Sequence, residues 1–454
     1  MFFLGKLDFL NSEKVIVFNE GEDIATYYDN GNILSIYKGA SLNNEPFGQG
    51  VKYEYSIDGS LSEKSEGEWI NGKINGDGCI SYYMPEGYIF WEFKGDFQNG
   101  LLHGQGSNIH YHYIDNKHQI LGKYEGTWFE GKEHGQGIET RYDSDGDIEQ
   151  EYEGEFKDGQ YHGQGKLIGE VRRDLNFEYE GEFKDGNYHG HGIFILYYED
   201  FFEKNKIMKY EGAWFEGKYH GQGIITTYHY IDRKKVNYSG NFSNGLFDGN
   251  GVIDFYDSRE DIKNKYEGGF KDGKYHGQGK LTAIYSDSEQ EYEGGFKDGQ
   301  YHGQGKLTAT GDFIFFDRLE YEGGFNNGEY NSQGSLNLYD YEEVLFFFKG
   351  NKLLEAEYKG EFVESNIISG RYYCYVKGEC WFKSNVIYKN GNQYQVEVEP
   401  VWEYFKSEEG KESFKTYEGE QLHDIDRAKE IVEEIAEYKP DFSSFLEDLR
   451  QYYH

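Results

Sequence analysis

Histidines that recur at one position of a repeated pattern are the first residues that could carry chemistry. Imidazole binds zinc and titrates near neutral pH, so such a column suggests a metal ladder or a pH-sensitive surface. However, neighbouring hairpins lie about 10 Å apart in a sheet, whereas a zinc ligand lies about 2 Å from its ion. Equivalent histidines therefore cannot share one ion, and we predict no metal site and a hydrogen-bonding role instead. The column consists of His103, His134, His162, His189, His220, His276 and His302.

Two other patterns resemble ligand sites but lack their defining residues. Gly163 to Lys166 reads Gly-Gln-Gly-Lys, but a phosphate cradle leads into a helix, whereas these glycines lie in a strand pattern. The acidic run from Asp143 to Glu149 has its glycine misplaced, and Gly154 stands where a calcium loop needs its final glutamate. No nucleophile constellation is recognisable either. We therefore predict no catalytic residue, no cofactor and no enzyme activity.

A column of aromatic pairs is the candidate site that the sequence favours. In the unit beginning at Tyr152, a ring, a glycine and a second ring alternate, so both rings share one strand face. These rings could simply pack the sheet against itself. A single-layer sheet has no second layer to cover them, however, and exposed aromatic patches mark binding surfaces. The predicted partner-binding groove consists of Tyr124, Trp128, Tyr152, Phe156, Tyr179, Phe183, Tyr210, Trp214, Tyr238, Phe242, Tyr266, Phe270, Tyr292 and Phe296.

The element that must position these rings is a repeated β-hairpin. Eleven copies of the unit lie between Tyr37 and Gly334, with starts 26 to 31 residues apart. In each complete copy an Asp-Gly, Asn-Gly or Glu-Gly pair, such as Asp158-Gly159, follows the second ring and indicates a two-residue turn. The sequence therefore predicts a mainly β fold, an open single-layer antiparallel solenoid of hairpins.

The consensus Tyr-Glu-Gly-x-Phe/Trp-x-x-Gly-x-x-His-Gly-x-Gly closely resembles the MORN (membrane occupation and recognition nexus) repeat. The repeats are longer than usual here, and the last one has Asn331-Ser332 in place of His-Gly. The resemblance implies a twisted sheet with an aromatic groove, serving as a scaffold, a protein-binding groove or a membrane-associated tether. Where MORN repeats accompany catalysis, they are appended to a separate enzyme domain, and we recognise no such domain in this sequence.

Degenerate segments flank the repeats. We predict a degenerate N-terminal β cap at 1–36, eleven repeats at 37–334, a degenerate β continuation at 335–422 and two helices at 423–454. The helices meet at Pro440, and each has apolar residues along one stripe. We favour their capping the last hairpin, as solenoid ends require, and leave open that they dock into a groove.

Charge predicts the class of partner. The chain has 83 acidic and 46 basic residues, giving a net charge of −37, so it repels nucleic acid and anionic lipid. Its 3 cysteines lack zinc-site or disulfide spacing, and its first residues lack the apolar run of a signal peptide. We therefore predict an intracellular, cytoplasmic protein.

These arguments together predict a non-catalytic scaffold or adaptor that binds a protein partner through the aromatic groove. Three alternatives stay open. One is a tether associated with membranes or phospholipids, which the family suggests although the charge opposes anionic surfaces. Another is the targeting subunit of an enzyme assembly, and the third is a homo-oligomer.

Overall fold

Two units make up the chain, Met1–Lys218 and Tyr219–His454. The computed structural model describes residues 18–20, 23–27, 32–114, 117–172, 175–199, 204–228, 235–285, 288–311, 318–339, 354–363, 366–376, 379–389 and 393–400. The helices predicted for 423–454 lie outside these residues. No helix with the length and apolar character to cross a membrane occurs in the described part of the chain.

In the first unit each strand pairs antiparallel with the next one along the chain. The strands are β1 Phe18–Glu20, β2 Asp23–Tyr27, β3 Ile33–Leu42, β4 Glu45–Tyr55, β5 Leu61–Ile70, β6 Lys73–Tyr83, β7 Ile89–Gln98, β8 Leu101–Ile114, β9 Lys117–Phe129, β10 Lys132–Tyr142, β11 Ile148–Lys157, β12 Gln160–Arg172, β13 Leu175–Lys184, β14 Asn187–Glu199 and β15 Lys204–Phe215.

The second unit repeats the same antiparallel pairing between chain neighbours. Its strands, the first of which starts one residue before the unit, are β16 Lys218–Tyr228, β17 Lys235–Ser243, β18 Leu246–Tyr256, β19 Ile262–Lys271, β20 Lys274–Ile284, β21 Ser288–Lys297, β22 Gln300–Gly311, β23 Arg318–Asn326, β24 Glu329–Tyr339, β25 Leu354–Val363, β26 Asn366–Val376, β27 Glu379–Lys389 and β28 Gln393–Pro400.

The predicted fold is confirmed, because each unit is an open antiparallel sheet of successive hairpins. Strands β25 to β28 fall within the predicted continuation at 335–422. These strands do not test the proposed domain boundaries, which stay predictions.

The hairpin turns have the backbone conformation that their sequence demands. Asp158 and Gly159 both adopt positive φ, 53° and 82°, as a two-residue type I′ turn requires. Successive turns are also joined to each other. The backbone N–H of Gly159 donates to the carbonyl of Glu133 in the preceding hairpin at 2.9 Å. The N–H of Gly186 donates to the backbone carbonyl of Tyr161 in the same way at 3.0 Å. Hairpins are therefore linked at their turns as well as along their strands.

The core lies on one face of each sheet. We call it the ring face because it carries the aromatic column. Tyr152 is fully buried, and its ring stacks on Tyr161 with centroids 3.8 Å apart. The ring of Phe183, from the next hairpin, packs against Tyr152 edge-on at 5.0 Å. The opposite face is charged and carries ion pairs between strands, such as Lys166 to Glu178 at 2.7 Å. One layer therefore supplies its own apolar core.

Glycines make this arrangement possible. Gly154 and Gly165 face each other across the hairpin beneath the Tyr152 ring. A Cβ at Gly165 would lie 2.4 Å from the tyrosine hydroxyl and 2.6 Å from ring carbons. The hydroxyl donates to the carbonyls of Glu155 and His162, at 2.9 and 3.3 Å, beside a β-bulge. The tyrosine hydroxyl thereby satisfies carbonyls that the bulge removes from the ladder.

Candidate binding surface on the ring face

The aromatic column predicted as a groove forms the core of the protein. The exposed fraction of its members is at most 6%, and that of six of its seven tyrosines is zero. The column consists of Tyr124, Trp128, Tyr152, Phe156, Tyr179, Phe183, Tyr210, Trp214, Tyr238, Phe242, Tyr266, Phe270, Tyr292 and Phe296. The expected exposure of these rings is therefore wrong, and their role in partner binding stays untested.

The rings are covered because they lie flat rather than standing upright on the sheet. Each tyrosine crosses the glycine pair of its own hairpin, and the Phe or Trp of the next hairpin closes over it, as in Tyr124 with Phe156 at 4.8 Å. The alternation of residues in a strand predicts which face a side chain takes, but not its tilt. A tilted ring needs no second layer to bury it.

The first unit has a partly open row of side chains beside the column, two residues further from the hairpin turns. Strand register places these residues side by side on β7 to β15. Its large members are only half-buried, so they offer a surface that the column does not. This outer row consists of Trp91, His110, Gly122, Arg141, Gln150, Gly169, Phe177, Leu196 and Met208.

The corresponding row of the second unit is partly closed. There Ala283 and Ala309 are 2% and 7% exposed, and Leu319 is 1% exposed. The half-buried residues described in that row are small or polar, such as Val236 and Gln290, whereas the first unit has a half-buried tryptophan and a half-buried phenylalanine there. The candidate surface is therefore the ring face of the first unit.

A group of polar side chains interrupts the ring face of this unit. Glu133 takes the position that Tyr161 occupies in the next hairpin, and lies opposite Trp128 in the strand register. Its carboxylate Oε1 accepts a hydrogen bond from Asn108 Nδ2 at 3.4 Å. Glu139 lies between Tyr124 on β9 and the equivalent tyrosine on β11. The next hairpin has a leucine at the position of Glu139.

Arg141 neutralises only part of this charge. Its Nε atom lies 2.8 Å from Glu139 Oε1, and Glu139 also forms a side-chain hydrogen bond with the Tyr161 hydroxyl. The same hydroxyl accepts a bond from Gln150 Nε2 at 3.2 Å. We call Asn108, Glu133, Glu139 and Arg141 the carboxyl notch. It holds two carboxyls and one guanidinium.

Electrostatics distinguish Glu133 from the other carboxyls of this face. Burial, followed by the charge of Glu139, raises the pKa of Glu133 to about 7, against the weaker opposing effects of Asn108 and Arg141. Burial also raises the pKa of Glu63, on β5, and Glu54 adds to that effect. A carboxyl with a pKa close to neutral exchanges its proton in the physiological range.

Sequence reasoning missed the notch although a signal was present. The signal is a departure of one repeat from the others rather than an agreement among them. Aligned position by position, Glu133 stands where later hairpins have tyrosine or phenylalanine, and Glu139 where most have Leu, Ile or Phe. Two acidic residues at apolar positions of one hairpin predict a site.

The predicted hydrogen-bonding role of the histidine column is not seen at the Nδ1 atoms of His134, His162, His276 and His302, which have no hydrogen-bond partner among the described residues. His162 Nδ1 lies 3.8 Å from Asp185 Oδ1 in the next turn, and His276 Nδ1 lies 4.0 Å from Asp298 Oδ1. Those distances are too long for a hydrogen bond. The column acts through its backbone instead, as with the His162 carbonyl. Within the described ranges, no three His, Cys, Asp or Glu side chains converge as metal ligands would.

Comparison with known families finds one match. A model of the MORN repeat matches residues 66–84, 93–107, 124–146, 152–170, 179–197, 210–227, 238–258, 266–283, 292–312 and 321–340. The hairpin predicted from Tyr37 lies before the first matched segment, although the structure forms it as β3 and β4. A search among curated proteins found no match.

Proposed function

Since the chain belongs to the MORN-repeat family, whose members are often scaffold or membrane-associated proteins, we propose that it is a non-catalytic scaffold. It binds a protein partner on the ring face of the first unit, and it acts inside the cell. The partner contacts the outer row and the carboxyl notch rather than the buried column.

The observation that supports this proposal most directly is the contrast between the two units. Both have the same packed column, but among the described residues only the first unit has half-buried large apolar side chains, such as Trp91, Phe177 and Leu196, beside it. Aromatic and aliphatic side chains around a few charged groups resemble the composition of protein interfaces. In the second unit the aromatic member of that row, Phe255, is buried, with 8% of its surface exposed.

Charge supports a protein partner over a nucleic acid or an anionic membrane. A net charge of −37 opposes association with phosphate groups, whether in nucleic acids or in lipids. The same charge favours encounter with a basic protein surface.

The test is affinity capture with the intact chain and two variants. Trp91→Gln combined with Leu196→Gln alters the outer row, and Ile168→Gln alters a 37% exposed side chain of the opposite face. We expect the wild type and Ile168→Gln to capture the same partner in stoichiometric amount, and the double variant to lose it. Quantitative mass spectrometry measures the captured protein, and circular dichroism confirms that each variant is folded.

Two outcomes would contradict the proposal. Equal capture by all three proteins would mean that the ring face is not the binding surface. Flotation with anionic liposomes at physiological salt, without any captured protein, would instead favour the membrane tether. A captured enzyme would identify the chain as a targeting subunit.

A further inference from the structure

The carboxyl notch lacks one positive charge. When Glu133 is ionised, it and Glu139 carry two negative charges, and Arg141 supplies one positive charge. Arg141 binds Glu139, whereas the contact of Glu133 is the amide of Asn108. An ionised, half-buried carboxylate whose hydrogen-bond donor is an uncharged amide is unfavourable in free energy, because burial disfavours the charged form. A cation supplied from outside would remove that cost.

Beside the notch, one position of the outer row carries no side chain. Gly122 lies in the outer row between His110 and Arg141. A Cβ built there meets its nearest neighbour, the carbonyl of Thr140, at 3.6 Å, which is ordinary contact. Aromatic rings of Tyr124 and Trp128 border Glu133 on β9, and such rings attract cations.

We propose that a lysine or arginine side chain of the partner inserts at the carboxyl notch and pairs with Glu133, while apolar residues on either side of it contact the outer row. The proposal rests on the proposed function and names the chemistry of the partner. The occupant is a basic segment of a protein, chosen because the notch and the chain are both acidic.

Strand spacing predicts where the apolar contacts of this segment lie. Trp91 on β7 and Phe177 on β13 are each three strands away from Arg141 on β10. At about 4.8 Å per strand, each lies about 14 Å from the notch. An extended peptide covers that distance in about four residues, since each residue spans about 3.4 Å. The segment therefore has one basic residue with an apolar residue about four positions away on both sides.

A synthetic nine-residue peptide tests this arrangement. It has leucine at both ends, lysine in the middle and serine or glycine elsewhere, and its counterpart has glutamine in place of lysine. Binding to the full chain is measured by fluorescence polarisation in 0.15 M salt, where screening limits non-specific attraction. We expect the lysine peptide to bind about tenfold more tightly than the glutamine peptide.

Matched variants separate the notch from the overall charge. Glu133→Gln should abolish the preference for lysine, whereas Glu153→Gln, which removes the same charge from the exposed opposite face, should keep it. Equal loss with both variants, or equal affinity for both peptides, would overturn the proposal. Leu196→Gln should weaken both peptides alike. If it weakens neither, the outer row is not the surface and the proposed function fails separately.

The pH dependence gives a readout that a structural role of Glu133 would not produce. Among the described residues, the groups around the notch that titrate or carry charge are Tyr124 on β9, Glu139 and Arg141 on β10, and Tyr161 on β12. Because the pKa of Glu133 is about 7 without ligand, affinity for the lysine peptide should rise from pH 6 to pH 8. A flat profile would contradict the pairing with Glu133.

Discussion

At position 133 a carboxyl stands where later hairpins place an aromatic ring, and this one exchange alters both stability and charge. A ring there stacks on the tyrosine of its own hairpin, as Tyr161 does on Tyr152. Glu133 instead lies opposite Trp128, and its carboxylate accepts a hydrogen bond from the Asn108 amide. Natural proteins accept such local losses of stability mainly where a site needs them.

The stability of the protein should therefore depend on the ionisation of Glu133. The pKa of Glu133 is about 7 in the folded state, against an ordinary value of 4.5. Between these two pH values the folded state therefore holds a proton that the unfolded state has released. The free energy of unfolding then falls as pH rises from 4.5 to 7, by about 3 kcal/mol at most, and levels off above. Glu133→Gln should remove this fall.

Urea unfolding at pH 5.5 and pH 8 measures the effect. We expect Glu133→Gln to stabilise the protein by about 2 kcal/mol more at pH 8 than at pH 5.5. Glu153→Gln, a matched loss of charge, should show no such difference. If the two variants behave alike, Glu133 is no more buried than an exposed carboxyl and its raised pKa is wrong.

Sequence reasoning at this scale placed the aromatic residues on the correct strand face but predicted the wrong exposure for them. Tyr152 and Phe156 were correctly placed on one face, because alternate residues of a strand share it. Their burial depends on ring tilt and on the next hairpin, about 28 residues further along the chain, which no local pattern describes. Glu133 was overlooked because it departs from the repeat.

At the scale of the hairpin, one tyrosine and two glycines act as a unit. Tyr152 must lie flat to satisfy the bulge carbonyls, and it can lie flat only because Gly154 and Gly165 have no side chains. The glycine of the turn has a different role, since Gly159 adopts positive φ. The turn was predictable from its residue types, whereas the bulge was not, because it arises from pairing between strands.

Two alanine substitutions test the space beneath the tyrosine. In Gly165→Ala the new Cβ would lie within 2.6 Å of the Tyr152 ring, so the ring must tilt and lose its stacking and its hydrogen bonds. In Gly122→Ala the nearest atom is 3.6 Å away. We expect a loss of about 2 to 3 kcal/mol for the first and a change within about 0.5 kcal/mol for the second.

Neither glycine needs a left-handed backbone, so the pair differs in space rather than in backbone strain. Thermal and urea unfolding compare the variants. Similar destabilisation by both would mean that the glycines are needed for strand flexibility, and would remove the flat ring as the reason for the repeat's Tyr-x-Gly pattern.

At the scale of the whole molecule, repetition allows specialisation of one unit. Within each unit, neighbouring hairpins contact each other through similar ring pairs and turn hydrogen bonds, so a change in one hairpin is tolerated by the rest. The second unit keeps the regular apolar face, while the first carries the notch and the outer row. The sequence predicted the repeated fold well because its signal is repeated many times, and the carboxyl notch was missed because it occurs in one hairpin.

Removal of one complete repeat should therefore leave a folded protein. Deleting residues 266–291 joins Lys265 to Tyr292, so Phe296 replaces Phe270 against Tyr238, a contact that Phe270 makes at 5.1 Å. We expect circular dichroism to show a strand-rich protein with a cooperative melt, because every remaining strand keeps its direction, face and turn. Deleting only 262–273, one strand and its turn, should give aggregated protein, since all later turns would lie at the wrong edge of the sheet. If both deletions fold equally well, or neither folds, the hairpin is not the unit from which this protein is built.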